Sequence, residues 1–312
     1  MPTSPCLRIL VAINPSASFG RHRPVGPAVT AALEKAGHDV VPLQRESQEA
    51  LETAVRSELE TTTVDALVVV GGDGMVSFGV GLVAETGVPL GLVPSGTGND
   101  MARALGLPFD DPARAIERLV ELLREAPRPV DLLRVTRDGA EPTWVAGGVS
   151  AGFDAFVNER ANRIRRPRGR ARYDLALVLE LLRLRQVEYD VVVDGVASRV
   201  AGTLVSVGNA RSVGGGITLL PDAVIDDGFL DVLIVERLSR VGFLRLFPRV
   251  AKGTHGDDPR VRLSRARRVS IAARDVVAYG DGERIGALPV TIEVVPAALR
   301  VFAPPAEPAH SA

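Results

Sequence analysis

Cysteine is nearly missing from this 312-residue chain: Cys6 stands alone. An internal disulfide and a cysteine-rich metal centre are thereby excluded, and a reducing, cytoplasmic setting is expected. Lysine is almost as scarce. Of 37 cationic side chains only Lys35 and Lys252 are lysines, and neither closes a G-x-x-x-x-G-K-[ST] phosphate loop, so phosphate contacts fall to arginine and backbone amides. An excess of one charge is also lacking: 37 basic residues against 38 acidic ones leave a net charge of −1. That excludes nucleic acid as a partner bound by the overall field of the protein. No apolar run approaches the roughly 18 residues of a membrane span, and no leader-like segment precedes the first strand-like run. Any work on lipid is therefore expected from the membrane surface. His22, His38, His255 and His310 fall in no zinc-ligand spacing.

What remains is an ordinary globular composition, 46% hydrophobic and 24% charged, long enough for two domains. Strand-like and helix-like segments alternate in the first part of the chain. Leu7 to Ile13 is a near-continuous apolar run ending at Asn14-Pro15-Ser16, and residues 25–36 read as a helix closed by Gly37. Strands follow at 39–43, 66–70 and 88–93, with helices at 46–60, at 75–86 and from Ser95 onward. This order predicts βαβ units around a buried parallel sheet. The pattern changes near Pro127-Arg128-Pro129. Beyond it, β-branched segments at 130–136, 143–149, 187–193, 202–208, 229–235, 267–273, 276–279 and 289–295 dominate, with Asp194-Gly195 and Asp281-Gly282 as hairpin signals. They predict a mostly antiparallel second domain, a sandwich or an open barrel, with helices near 173–185 and 239–252. The expected division is 1–128 with about 297–312, then 129–296. The proline- and alanine-rich tail after Phe302 reads as disordered.

Two glycine-rich loops carry the chemistry of the first domain: Gly71-Gly72-Asp73-Gly74-Met75, and Pro94-Ser95-Gly96-Thr97-Gly98-Asn99-Asp100. Both stand at the carboxyl ends of strands, where open α/β sheets bind ligands. Glycines admit a polyphosphate close to the backbone, and the amides of a following helix N-terminus donate to it. Asp73 is placed to hold Mg²⁺ or a metal-bound water bridging phosphates. The plainer alternative makes both loops tight βα turns, with Asn99 or Asp100 as a helix cap. A dinucleotide oxidoreductase fits less well, because Asn14-Pro15-Ser16 stands where a G-x-G-x-x-G would open the first helix.

With Met101-Ala102-Arg103 appended, these loops resemble the signature of the diacylglycerol kinase catalytic domain family, which includes soluble bacterial diacylglycerol kinases and the sphingosine and ceramide kinases. The resemblance continues in order through Asn14-Pro15, Gly208-Asn209, Gly214-Gly215-Gly216, Pro221-Asp222-Ala223, Asp227-Gly228-Phe229-Leu230-Asp231 and Asp281-Gly282-Glu283. Gly152-Phe153-Asp154, the stretch from Asn158 to Arg163 and Arg170-Ala171-Arg172-Tyr173 are similar to the soluble bacterial members. The resemblance implies a phosphofructokinase-like α/β nucleotide-binding domain followed by a β-sandwich, with ATP between them. It implies that Asn14, Gly71, Gly72, Asp73, Gly74, Met75, Ser77, Ser95, Gly96, Thr97 and Asn99 bind the nucleotide.

It further implies that Glu283 accepts the proton of the lipid hydroxyl, a role for which a carboxylate within hydrogen-bond reach is chemically suited. Asp73 shares the candidacy, since its counterpart has been considered as base in the sphingosine kinase branch. Asp227, with the backbone carbonyls of Val224 and Phe229, is implied to hold a structural Mg²⁺, linked through water to Asp73 and Asp100; a second Mg²⁺ accompanies ATP. Without the resemblance, Asp281-Gly282 reads as a hairpin turn and Asp226-Asp227-Gly228 as a solvated acidic turn. The chain departs from the pattern at Met75 and Ser77, where the family has threonine and asparagine, which removes one hydroxyl donor.

Arg160, Arg163, Arg165, Arg166, Arg168, Arg170 and Arg172 crowd an acid-free stretch. They read as a solvated loop, as a contact for anionic head groups, or as a bidentate phosphate ligand. The apolar helix after Tyr173 reads as core or cleft wall, or as an acyl-chain site. The expected activity is ATP-dependent phosphorylation of diacylglycerol to phosphatidic acid by a cytoplasmic protein that visits an anionic membrane, with a homodimer allowed. The alternatives are a kinase for another lipid or small alcohol (a sphingoid base, ceramide or monoacylglycerol) or for NAD, and a catalytically silent nucleotide-binding regulator.

Overall fold

The computed structural model describes residues 5–14, 25–167 and 169–306. The chain divides into two compact units, Met1–Val130 with Ala297–Ala312, and Asp131–Pro296. Pro15, Ser16, His22, Arg168 and the tail from residue 307 lie outside the described residues.

The first unit contains β1 (Arg8–Ile13), α1 (Val25–Lys35), β2 (Asp39–Leu43), α2 (Gln48–Thr61), β3 (Ala66–Gly71), α3 (Asp73–Val83), β4 (Leu90–Pro94), α4 (Asp100–Ala104) and α5 (Pro112–Leu122). Its strands run parallel in the order β4-β3-β1-β2. β1 from Ile9, β3 and β4 are buried along their whole length, as strands covered on both faces must be. The helices carry local start signals. Ser47 caps α2 by accepting the N–H of Ala50, and Asp111 caps α5 with Pro112 in its first turn.

The second unit takes most of β5 (Arg128–Thr136), then β6 (Thr143–Val145), β7 (Gly148–Gly152), α6 (Phe153–Arg163), α7 (Arg170–Arg183), β8 (Val187–Val193), β9 (Val196–Gly208), β10 (Leu230–Glu236), α8 (Arg240–Ala251), β11 (Val261–Ala266), β12 (Arg268–Ala272), β13 (Val277–Gly280), β14 (Glu283–Ala287) and the start of β15 (Val290–Val301). Its ladders are antiparallel. Val149, Val191, Val205, Val232, Ile271 and Ile292 belong to its sandwich core, while Leu233, Phe243, Leu246 and Val250 pack in a second cluster under the helices. Asp194-Gly195 and Asp281-Gly282 turn the β8–β9 and β13–β14 hairpins with positive φ at both residues, the geometry of a type I′ turn. No described helix is long and apolar enough to cross a membrane.

The structure differs from the sequence reading in several elements, among them α6, which the reading did not place. α3 begins at Asp73, inside the first glycine loop, because Gly72 is its N-cap. The second loop opens only a five-residue helix, α4, ended where Gly106 turns to φ +69°. β11 and β14 have no counterpart in the reading. Each pairs with a single neighbour, so their side chains are mostly solvated and leave little apolar signal.

Candidate active site

β3 and β4 are adjacent and in register, Gly71 opposite Pro94, so their loops emerge side by side. Ser95 N–H donates to Gly71 O at 2.8 Å. A Cβ on Gly96 would lie 2.5 Å from the Cα of Gly72, so the two backbones touch where only hydrogen fits. Asn99 is buried, with a left-handed backbone at φ +53°. Its side chain accepts from Gly96 N–H at 3.1 Å and donates to the Gly96 and Phe109 carbonyls at 3.1 and 2.7 Å. Asp73 closes the assembly, accepting the N–H groups of Asn99 and Asp100 at 2.8 and 2.7 Å. The predicted cap is thus reversed: Asp73 of the first loop caps α4, and Asn99 makes no side-chain cap bond of its own.

This leaves α3 without a side-chain cap at Gly72, the N–H groups of Asp73 and Gly74 and the positive dipole end available to an anion, while the Met75 N–H turns back to the Gly72 carbonyl at 2.9 Å. Burial, then the nearby Asp100 carboxylate, raise the pKa of Asp73, against the pull of its backbone donors. Of the other predicted nucleotide contacts, Asn14 ends β1 with its N–H on Val70 O at 3.1 Å, and Met75 is buried with its side chain packed on Gly71. Ser77 Oγ donates to the Asp73 carbonyl at 3.2 Å. Gly74 and Thr97 sit on the same two loops. Sequence reasoning passed over Arg103. Its guanidinium lies 3.8 Å over the Phe109 ring, one helical turn after Asn99, which placed a cation beside the second loop.

In the second unit the β13–β14 turn is pinned rather than loose. The Asp281 carboxylate accepts three successive N–H groups, from Ala146 at 2.9 Å, Gly147 at 3.0 Å and Gly148 at 2.9 Å, and Asp281 N–H donates back to Gly148 O at 3.1 Å. The turn therefore delivers Glu283, exposed and without a partner among the described residues, from a fixed base. Arg284 beyond it donates to Glu159 at 2.8 Å, and Tyr279 donates to the same oxygen at 3.0 Å. The side-chain role of Asp281 escaped the sequence reading, which took it as a turn former only.

The loop before β10 is held by Asp131 and Asn209. Asp131 accepts Gly228 N–H at 2.7 Å, and Asn209 Nδ2 donates to the Asp131 and Ile225 carbonyls at 3.0 Å each. The carboxylate implied to hold a structural Mg²⁺ is already engaged in this structure. One oxygen of Asp227 takes Phe229 N–H at 3.1 Å, and the other is paired with Arg265. Arg265 and Arg267 both lie over the Phe229 ring, which sets two guanidinium groups beside this loop. Nearby Asp231 is buried and its pKa is pushed up to about 6, chiefly by that burial. Asp73 and Asp100 offer hard oxygen donors as well; their carboxylates lie on the same side of Gly98 and repel each other.

The arginine-rich segment is divided. Arg160 pairs with buried Glu180 at 2.5 Å and Arg163 with Glu159 at 2.9 Å, whereas Arg165 and Arg166 are exposed and Arg172 lies over the Tyr173 ring and donates to its hydroxyl at 3.2 Å.

Comparison with known proteins agrees with this architecture. Residues 8–135 match the family described as "Diacylglycerol kinase catalytic domain", and residues 147–303 match "YegS C-terminal NAD kinase beta sandwich-like domain". A diacylglycerol kinase of Mycobacterium tuberculosis is 38% identical over 302 residues, 95% of either chain. A solved diacylglycerol kinase from Bacillus anthracis superposes with TM-score 0.70 at 20% identity, over 96% of this chain and 97% of that one. An NAD kinase from Archaeoglobus fulgidus in complex with ATP gives TM-score 0.54 at 13% identity, over 95% and 93%. Both structural likenesses speak for the fold. The chain belongs to the diacylglycerol kinase family. In class it is a lipid kinase, a phosphotransferase that uses ATP.

Proposed function

We propose that the protein transfers the γ-phosphoryl group of Mg²⁺-bound ATP to the hydroxyl of diacylglycerol, giving ADP and phosphatidic acid. The observation that carries this reading is the interlocked pair of glycine loops, with Gly72 against Gly96 and Asp73 bridging to Asn99 and Asp100. Its amides and the α3 N-terminus bind the polyphosphate. Asp73 and Asp100 are the donors for the Mg²⁺ that comes with ATP, which neutralises phosphate charge when bound. Asp73 also acts by position, because its two oxygens hold the backbone N–H groups of Asn99 and Asp100. Glu283 takes the proton as the hydroxyl oxygen bonds to the γ-phosphorus and the bond to the β-phosphate oxygen breaks. Asp281 fixes the turn that presents Glu283. The 38% identity to a protein named diacylglycerol kinase supports diacylglycerol as acceptor.

The proposed setting is the cytoplasm, with transient contact to an anionic membrane. An acceptor screen with γ-labelled ATP tests the reading. Diacylglycerol dispersed in micelles is expected to give labelled phosphatidic acid at a higher rate than sphingoid base, ceramide, monoacylglycerol or NAD gives its product. Faster labelling of another acceptor would reassign the substrate. ATP binding with no labelled product from any acceptor would leave a regulator, the reading that the departures at Met75 and Ser77 favour.

A further inference from the structure

Two helices of the second unit expose the wrong kind of surface for a solvated face. On α7, Leu175, Val178 and Leu182 are 39%, 51% and 61% exposed, and on α8, Val241 and Leu244 are 57% and 59% exposed. Spacings of three and four residues put each set on one stripe of its helix. The inward stripes are apolar as well: Leu177 and Leu181 from α7 and Phe243, Leu246 and Val250 from α8 meet the same core cluster. Both helices thus lie over one core and turn their other apolar stripes outward. They are fastened side by side, because the Arg240 guanidinium donates to Leu182 O at 3.0 and 2.6 Å.

The charges around this patch are mostly positive, exposed Asp174 being the acid on its α7 side. Arg165, Arg166, Arg172, Arg183, Arg240 and Arg245 make no ion pair with any described residue. Residues 240–252 contain no acid, and on α7 the acids are Asp174 and Glu180. Glu180 is buried and consumed by Arg160 and Arg185. An apolar stripe rimmed by uncompensated arginines fits a bilayer: apolar side chains enter the acyl boundary and guanidinium groups meet phosphate at head-group level. A second copy of the chain would bring the same positive rim against itself.

We infer that the outward faces of α7 and α8 form the surface by which the protein docks on an anionic lipid bilayer. The lipid-kinase reading supplies the reason for docking, but the binding test needs neither ATP nor diacylglycerol. The full chain is floated with vesicles of phosphatidylcholine alone or mixed with phosphatidylglycerol. It is expected to float only with the anionic vesicles, and less as salt rises. Leu182→Asn with Leu244→Asn, and separately Arg183→Gln with Arg245→Gln, are each expected to cut the bound fraction about tenfold or more, with melting temperature unchanged. Failure of the wild-type chain to float with anionic vesicles, or variants that float as it does, would overturn the inference. So would a leucine variant that converts a sedimenting dimer to monomer while still floating, which would give the patch to a second copy. Turnover of a soluble short-chain diacylglycerol separates the two readings: unchanged turnover in a non-floating variant upholds both, while docking without turnover of any acceptor sinks the kinase reading alone.

Discussion

Asp73 accepts the backbone N–H of Asp100 at 2.7 Å while the two carboxylates repel each other. One residue of the first glycine loop thereby fixes the second, and the strain of like charges is kept where the two loops meet. Asp73→Ala leaves two amides without their acceptor. It is expected to lower stability by about 2 kcal/mol in urea unfolding and to weaken ATP binding at least about tenfold by calorimetry. Unchanged ATP affinity would show that the bridge does not shape the cradle.

Gly96→Ala tests the contact of the two loops. Its Cβ would meet the Gly72 Cα at 2.5 Å and Asn99 Oδ1 at 2.9 Å, and neither can retreat without moving a loop. Thermal unfolding is expected to show a loss of about 1–3 kcal/mol, and nucleotide binding falls with it. Gly81→Ala, at a helical glycine whose added methyl meets nothing, is expected to be neutral or slightly stabilising.

At the turn that carries Glu283, Asp281→Asn keeps the size of the side chain but cannot serve three N–H donors with one acceptor oxygen. The β13–β14 turn loosens, and kcat is expected to drop about tenfold or more with the KM for ATP little changed. A variant whose loss fell wholly on KM for ATP would contradict a positioning role for Asp281.

His255 is fully buried, its Nε2 donating to Leu219 O at 3.0 Å. Burial holds its pKa below the ordinary histidine value. As pH falls, the unfolded chain binds this proton before the folded one does. Stability is therefore full above the ordinary histidine pKa and declines as pH drops from there toward the lowered folded value. The urea midpoint is expected to fall between about pH 7.5 and pH 5.5, and to fall less in His255→Asn. A wild-type midpoint that rose on acidification across that range would contradict this account.

Much of this was legible in the chain because the parallel core writes itself in continuous apolar runs. Ala66 to Val70 and Leu90 to Val93 are buried on both faces, so every position carries signal. The glycine loops were legible for a related reason, since backbone contact at Gly72 and Gly96 admits no other residue. What stayed hidden depends on partners distant in sequence. Nothing local tells that Asp281 will meet three amides more than 130 residues earlier, or that Arg265 will take the carboxylate of Asp227. The edge strands β11 and β14 were missed because solvated strands need no apolar alternation. The outward leucines of α7 looked like core in a one-dimensional reading, which cannot say which of two apolar faces is covered.

If Glu283 activates the hydroxyl for attack on ATP, a Glu283→Gln variant keeps its nucleotide and loses its turnover. Its exposed side chain makes the substitution harmless to the fold. With diacylglycerol and γ-labelled ATP, the turnover number is expected to fall about a hundredfold or more while calorimetry shows ATP bound as in the wild type. Turnover equal to that of the unaltered protein would contradict the account.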